Sequence, residues 1–241
     1  CLVEGYKIRF TGKRLDQADF DVYQTIISLW RYNKVDDKYP EFLAVSGAEL
    51  LRLAGKVGNG NNSKILVETI YRLKRAEVSI DHCGVVFSGN LIKDTVYNSN
   101  SKKWLIEINP RLSSLFEDHK ATIDFAVRRE LRGDFTKWIH NFYCTQDDPQ
   151  NHPFSVIKKI ADVDWDDKTL AFRLREAFAQ LVELGAIESG VVDIKIKKVF
   201  VVPAARKHIE EECFQVAAPE TYSFYAKKPT KKGTGRGKVA L

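Results

Sequence analysis

The sequence predicts an α+β protein built from two tandem units, and three observations carry that prediction. Helix, short helix, turn, long helix and β-ribbon follow one another between residues 15 and 108, and the same order returns between 127 and 202. The later long helix of each pass has an apolar stripe on one side and polar side chains on the other, the mark of a helix half buried in a core. The closing ribbon is basic: Lys195, Lys197 and Lys198 stand among Val192, Ile194, Ile196 and Val199 to Val202. The units are expected over residues 1–125 and 126–203, followed by a flexible charged tail over 204–241. With 241 residues, 44% hydrophobic and 29% charged, the chain has the composition of a globular protein able to bury a core in each unit.

YKIRFTG opens the first unit as an edge strand, with Tyr6, Ile8 and Phe10 alternating and Gly12 ending it. Leu15 to Tyr32 reads as a helix. Asp16 or Asp19 suits its N-terminus, and Phe20, Val22, Tyr23, Ile26, Ile27 and Trp30 make a broad buried stripe. A polar loop from Asn33 to Pro40 leads to a short strand with Phe42, Leu43 and Val45. Ser46, with Glu49 three residues on, has capping-box spacing and starts a short helix that Gly55 ends. KVGNGNN is a turn, and Ser63 to Ala76 is the long helix, with Leu66, Ile70 and Leu73 inward. Lys64, Glu68, Tyr71 and Arg75 recur on its other side, with Arg72 and Lys74 beside them. Val78–Ile80, Val85–Ile92 and Lys103–Ile108 read as strands, with turns at Asp81–Gly84 and Asn98–Lys102, and Pro110 opens a short helix, PRLSSLFED.

The second pass starts with one helix from Val127 to Tyr143, its core stripe formed by Leu131, Phe135, Trp138, Ile139 and Phe142. Past the polar loop TQDDPQNH, Pro153 suits the first residue of the helix PFSVIKKIAD, and Asp162 to Asp167 form the turn. In the long helix that follows, Leu170, Leu174, Phe178 and Leu181 recur at helical spacing with Ala177 between them. Lys168, Thr169, Arg173, Glu176 and Gln180 fall outside. Gly185 stops the helix, since glycine reaches the left-handed C-cap conformation without a side-chain penalty. Asp162, Asp164, Asp166 and Asp167 crowd its entrance, where carboxylates favour the positive end of the helix dipole but repel any phosphate they face; a structural role is expected of them. After Pro203, ARKHIEEE reads as a short exposed helix, and the composition beyond Pro219 cannot build a core.

The net charge of +6 resides in the tail. From Thr221 onward Lys227, Lys228, Lys231, Lys232, Arg236 and Lys238 meet no acidic residue, which leaves residues 1–220 net neutral. Nucleic-acid binding by the body must therefore come from local clustering on one face. Cys1, Cys83, Cys144 and Cys213 are scattered, with no CxxC pair and no zinc-ligand spacing, so neither a disulfide scaffold nor a metal is expected. A chain this long and cysteine-poor is expected in a reducing cytoplasm; no apolar run approaches the roughly 20 residues that span a bilayer, and no signal-peptide pattern opens the chain. The chain begins at Cys1 and contains no methionine, which suggests a fragment or an incomplete sequence and leaves open whether an N-terminal segment is missing.

A half-buried helix with polar groups outside, followed by a basic ribbon, is how a winged helix-turn-helix grips duplex DNA. Its occurrence twice favours DNA binding over plain packing. On that reading Lys64, Tyr71, Arg72, Lys74 and Arg75 line the first long helix, and Lys168, Thr169, Arg173 and Gln180 the second. Arg173 and Arg175 diverge by about 200°, so both cannot face a groove squarely; Arg173 is assigned to base contact, and Lys195, Lys197 and Lys198 to phosphate. Gly55 and Gly60 have P-loop spacing, but Asn61 and Asn62 follow where that loop needs lysine and a hydroxyl, so an interhelical turn is expected. His82, Cys83 and His140 have no evident catalytic partner, and the carboxylates lack metal-nuclease spacing; neither an enzyme nor a cofactor is expected.

FTGKRLDQADFDVYQTIISLWRY resembles the opening of the conserved region of TrfA-type plasmid replication initiators: a strand, a glycine, Leu-x-x-x-Asp and a long helix. The similarity continues through VSGAELLRLAG and YRLKRAEV and returns at FTKWIHNFY and LREAFAQLVELGAI, over roughly residues 6–202, in order and spacing rather than in one motif. The resemblance implies two winged-helix domains that bind repeated origin sequences (iterons) and melt adjacent AT-rich DNA. It also implies recruitment of the host initiator and replicative helicase, inactive or self-repressing homodimers, and a bacterial protein associated with plasmid or nucleoid. By position it implies DNA-reading helices at Asn62–Arg75, which adds Asn62 and Ser63 to the contact set, and at Lys168–Leu184, with a wing at Val191–Val202. A transcriptional repressor on the same scaffold and a winged-helix protein-interaction module are the alternatives.

Overall fold

A computed structural model describes residues 6–35, 38–82, 85–109, 123–144 and 151–204. The expected helix PRLSSLFED, the expected helix after Pro203 and the tail lie outside the described residues. In chain order the elements are β1 (Tyr6–Thr11), α1 (Gln17–Tyr32), β2 (Leu43–Ser46), α2 (Gly47–Leu53), α3 (Gly60–Arg75), β3 (Glu77–His82), β4 (Val85–Asn90), β5 (Ile92–Asn98) and β6 (Lys103–Ile108). They continue with α4 (Phe125–Glu130), α5 (Asp134–Cys144), α6 (Phe154–Ala161), α7 (Asp167–Glu183), β7 (Ile187–Asp193) and β8 (Lys198–Pro203). This is the expected α+β class, with three small antiparallel sheets ordered β1-β3-β4, β2-β6-β5 and β7-β8. No helix among the described residues is long and apolar enough to cross a membrane.

Helix α1 starts at a capping box: Asp16 accepts from the Asp19 N–H at 2.8 Å, and Asp19 accepts from the Asp16 N–H at 3.2 Å. Its expected stripe is buried except for Phe20, which is half-buried. Ser46 caps α2 by accepting from the Glu49 N–H at 3.1 Å, and Gly55 follows at φ +71. Helix α3 begins three residues before the expected Ser63, because Asn59 caps it and draws Gly60 to Asn62 into the first turn. The expected run Val85–Ile92 is two strands. At Leu91 the backbone leaves the ladder, its N–H donating to Ala76 O at 3.0 Å, so β4 joins β3 while β5 joins β6.

The expected single helix Val127–Tyr143 is broken between α4 and α5 by Gly133 at φ +83, a conformation that favours glycine. Leu131 and Ile139 are buried as expected, but Phe135, Trp138 and Phe142 are half-buried and stack on one another, with centroids 5.9 Å and 5.0 Å apart. Pro153 is the N-cap of α6 rather than its first helical residue. Ile194 to Lys197, expected within a strand, form the hairpin turn. Asp193 Oδ1 accepts from the Lys195 and Ile196 N–H groups at 2.8 and 3.2 Å, and Lys197 sits at φ +54. Lys195 and Lys197 therefore lie at its tip, Lys198 opens β8, and β7 begins back at Ile187.

Backbone pairing repeats between the halves. Strand β2, which leads into α2, pairs with β6 of the hairpin that follows α3, Leu43 opposite Ile106 and Val45 opposite Trp104. In the second half the chain leading into α6 is likewise tied to the hairpin after α7: Phe154 N–H donates to Lys197 O at 2.9 Å and Val199 N–H to His152 O at 3.0 Å. Leu170, Leu174, Phe178 and Leu181 of α7 are buried against Ile139, Tyr143, Phe154 and Val199, each large apolar side chain contributing about 1.5–3 kcal/mol.

Candidate nucleic-acid interface

Helix α3 buries Leu66, Thr69, Ile70 and Leu73 and leaves Lys64, Glu68, Tyr71 and Arg75 exposed, the outer row that helical spacing requires. Tyr71 leans edge-on toward Trp104 of β6, with centroids 6.2 Å apart. The other expected contact residues of this helix have partners within the protein. Asn62 Nδ2 donates to Val57 O at 2.7 Å and Ser63 Oγ to Asn59 O at 2.9 Å, so both hold the turn before α3. Arg72 grips Asp19 of α1 through Nε and Nη2, at 3.1 and 2.6 Å to Oδ1, and its charge is held more firmly by that hydrogen-bonded carboxylate. Lys74 pairs with Asp94 of β5 at 2.5 Å.

Helix α7 presents Lys168, Thr169, Phe172, Arg173, Arg175 and Glu176 as exposed residues. Arg173 pairs with Glu176 at 3.3 Å, and both side chains are about half exposed. Arg175 reaches back to Val192 O of β7 at 3.4 Å. Gln180 differs from the other expected contacts: its Oε1 accepts from the Arg132 N–H at 2.9 Å, which ties α7 to the segment joining α4 and α5.

The aspartates before α7 are absorbed locally. Asp162 ends α6 in the left-handed conformation at φ +53 and pairs with Arg14 at 2.9 Å. Asp166 caps α7, accepting from the Thr169 N–H at 2.6 Å, and that bond holds its carboxyl below the usual carboxylate range. Asp167 binds Lys158 of α6 and Lys197 of the hairpin tip, at 2.7 Å each, and these two lysines depress its pKa in that order. Asp164 is exposed. Lys158 and Lys197 thus meet at Asp167, next to Lys168 in the chain. Nothing in the sequence marks Lys158, because its place depends on how α6 meets α7.

Among the described residues no group of three His, Cys, Asp or Glu side chains could hold a metal ion. His140 is buried with Nδ1 lacking a hydrogen-bond partner among them, and burial, followed by the Arg128 charge, pushes its pKa down to about 4. Burial pushes the Cys144 thiol up to about 11, far from the thiolate character a nucleophile needs.

No family model matches the chain, and no curated protein matches it. The fold is similar to that of a solved structure of domains 2 and 3 of RctB, with a TM-score of 0.56 at 9% identity over 84% of this chain and 92% of that one. A second structure of RctB domains 2-3 aligns at a TM-score of 0.48 and 9% identity, over 72% and 78%.

Proposed function

We propose that this chain is a sequence-specific duplex-DNA-binding replication initiator with two winged-helix domains, at residues 1–125 and 126–203. One observation carries the reading: in each half a strand or bridge, a short helix, a turn and a long helix with an exposed polar side are backed by a hairpin paired to the chain before the short helix. A helix held this way can enter the major groove while its hairpin lies along the backbone. The TrfA-type resemblance and the fold likeness to RctB domains 2 and 3 support the tandem plan.

On this reading Lys64, Tyr71 and Arg75 of α3 and Lys168, Thr169 and Arg173 of α7 meet DNA. Lys195, Lys197 and Lys198, joined by Lys158, meet phosphates. Asn62, Ser63, Arg72, Lys74 and Gln180 position the helices instead. Iteron binding, opening of adjacent AT-rich DNA, contact with the host initiator and helicase, and a regulatory homodimer belong to the same proposal.

Footprinting on plasmid DNA tests it. Several evenly spaced protected repeats beside an AT-rich region are expected. A single palindromic site at a promoter would make the protein a repressor, and absence of protection would leave a protein-interaction module.

A further inference from the structure

Phe172 stands on the outside of α7, 56% exposed, while Leu170, Leu174 and Phe178 of the same helix are buried. It occupies the second helical turn, one turn past Lys168 and Thr169 and one turn before Glu176. A single exposed apolar side chain means little by itself. Here the end of the helix it rises from carries cations on three elements, Lys168 on α7, Lys158 on α6 and Lys197 at the hairpin tip, the last two paired with Asp167, beside the exposed carboxylates of Asp164 and Asp166.

Lysines so placed suit phosphates on the walls of a groove once they exchange Asp167 for the DNA backbone, with the N-terminal turns of the helix deepest against the base edges. The thymine 5-methyl is the apolar group that a base pair presents in the major groove. A flat apolar side chain at that depth removes water from the methyl, which the neighbouring Thr169, Arg173 and Glu176 do less well. We propose that Phe172 is a specificity-determining residue that reads thymine through its 5-methyl group.

The inference rests on the DNA-binding reading, and one experiment separates the two. The full chain selects duplexes from a random-sequence library, and each thymine of the selected duplex is then replaced singly by deoxyuridine, which removes only the methyl. Wild-type affinity is expected to fall about fourfold at one or two thymines, the effect of one buried methyl group. Phe172→Ala is expected to bind thymine and uracil duplexes equally, and Phe172→Leu to keep part of the discrimination. The exposed position means that Phe172→Ala should melt with the wild type by circular dichroism, so lost discrimination would not reflect lost fold. A wild-type protein indifferent to every replacement overturns the role of Phe172 and leaves DNA binding standing. Undiminished thymine sensitivity in Phe172→Ala also overturns it, since another residue then reads the methyl. Failure to enrich any sequence overturns the DNA-binding reading itself.

Discussion

Arg128 of α4 donates through Nε to Asp21 Oδ1 of α1, with the two side chains only 1% and 4% exposed, and this pair joins the halves of the chain. The guanidinium also reaches Lys137 O, Asn141 Oδ1 and Gln17 Oε1 at 2.9 Å each and lies 5.0 Å from the centre of the Phe20 ring. Lys137 adds a second cation to Asp21 at 2.6 Å. Buried charges persist when they are paired this completely. Asp21→Ala leaves the buried Arg128 without a carboxylate and is expected to lower the unfolding free energy by about 3–5 kcal/mol, read by urea denaturation, whereas Arg128→Ala leaves Asp21 paired with Lys137 and should cost less. Replacing both together with apolar residues should cost less than the sum of the singles.

His140 makes stability depend on pH. Its folded pKa of about 4 lies below the ordinary value of 6.5, so between those values the unfolded chain holds a proton that the folded chain lacks. Its contribution is therefore fully present above about pH 6.5 and declines as pH falls toward 4, by up to about 3 kcal/mol. Urea midpoints of wild type and His140→Leu, followed from pH 7 to 5, should diverge in slope, the wild type falling faster. Parallel profiles would contradict the assignment.

Asp167 occupies two lysines that the proposed interface needs. Asp167→Asn removes a carboxylate and releases Lys158 and Lys197 toward solvent. Duplex affinity is expected to rise about tenfold at low salt, with a steeper dependence of log K on log salt. Unchanged affinity and slope would mean that these lysines do not face the phosphates.

Gly190 of β7 lies under Phe178, and an added Cβ would stand 2.5 Å from Phe178 Cγ. Gly190→Ala is expected to destabilise by about 1–3 kcal/mol through overpacking, measured by thermal melting. Gly58, where a Cβ meets nothing within 4 Å, provides the neutral control.

What the sequence made legible was local. The stripes of α1 and α7, the caps Asp16 and Ser46 and the stop at Gly185 follow from spacing and backbone preference, and each is found where expected apart from the half-buried Phe20. The break at Gly133 was hidden inside a continuous apolar pattern, and the hairpin tip inside a run of β-branched residues. Arg72 and Lys74 could be given a helix and a side but not a partner, since Asp19 lies 53 residues away and Asp94 lies 20. Gln180 shares its row with Arg173, yet it meets Arg132 because α7 passes the segment between α4 and α5. Spacing could name the aspartates before α7 and suggest a structural task, while the partners Arg14, Lys158 and Lys197 required the fold.

The central claim, that outward α7 reads sequence while the hairpin grips the backbone, is tested most directly by one ratio: affinity for the selected duplex over affinity for random duplex. It should be measured for wild type, Arg173→Ala and Lys195→Ala at the same salt concentration. Arg173→Ala is expected to lower the ratio by about 1–3 kcal/mol, and Lys195→Ala to weaken both affinities equally and leave it unchanged. A wild-type ratio of one, or an Arg173→Ala ratio equal to wild type, would contradict the account.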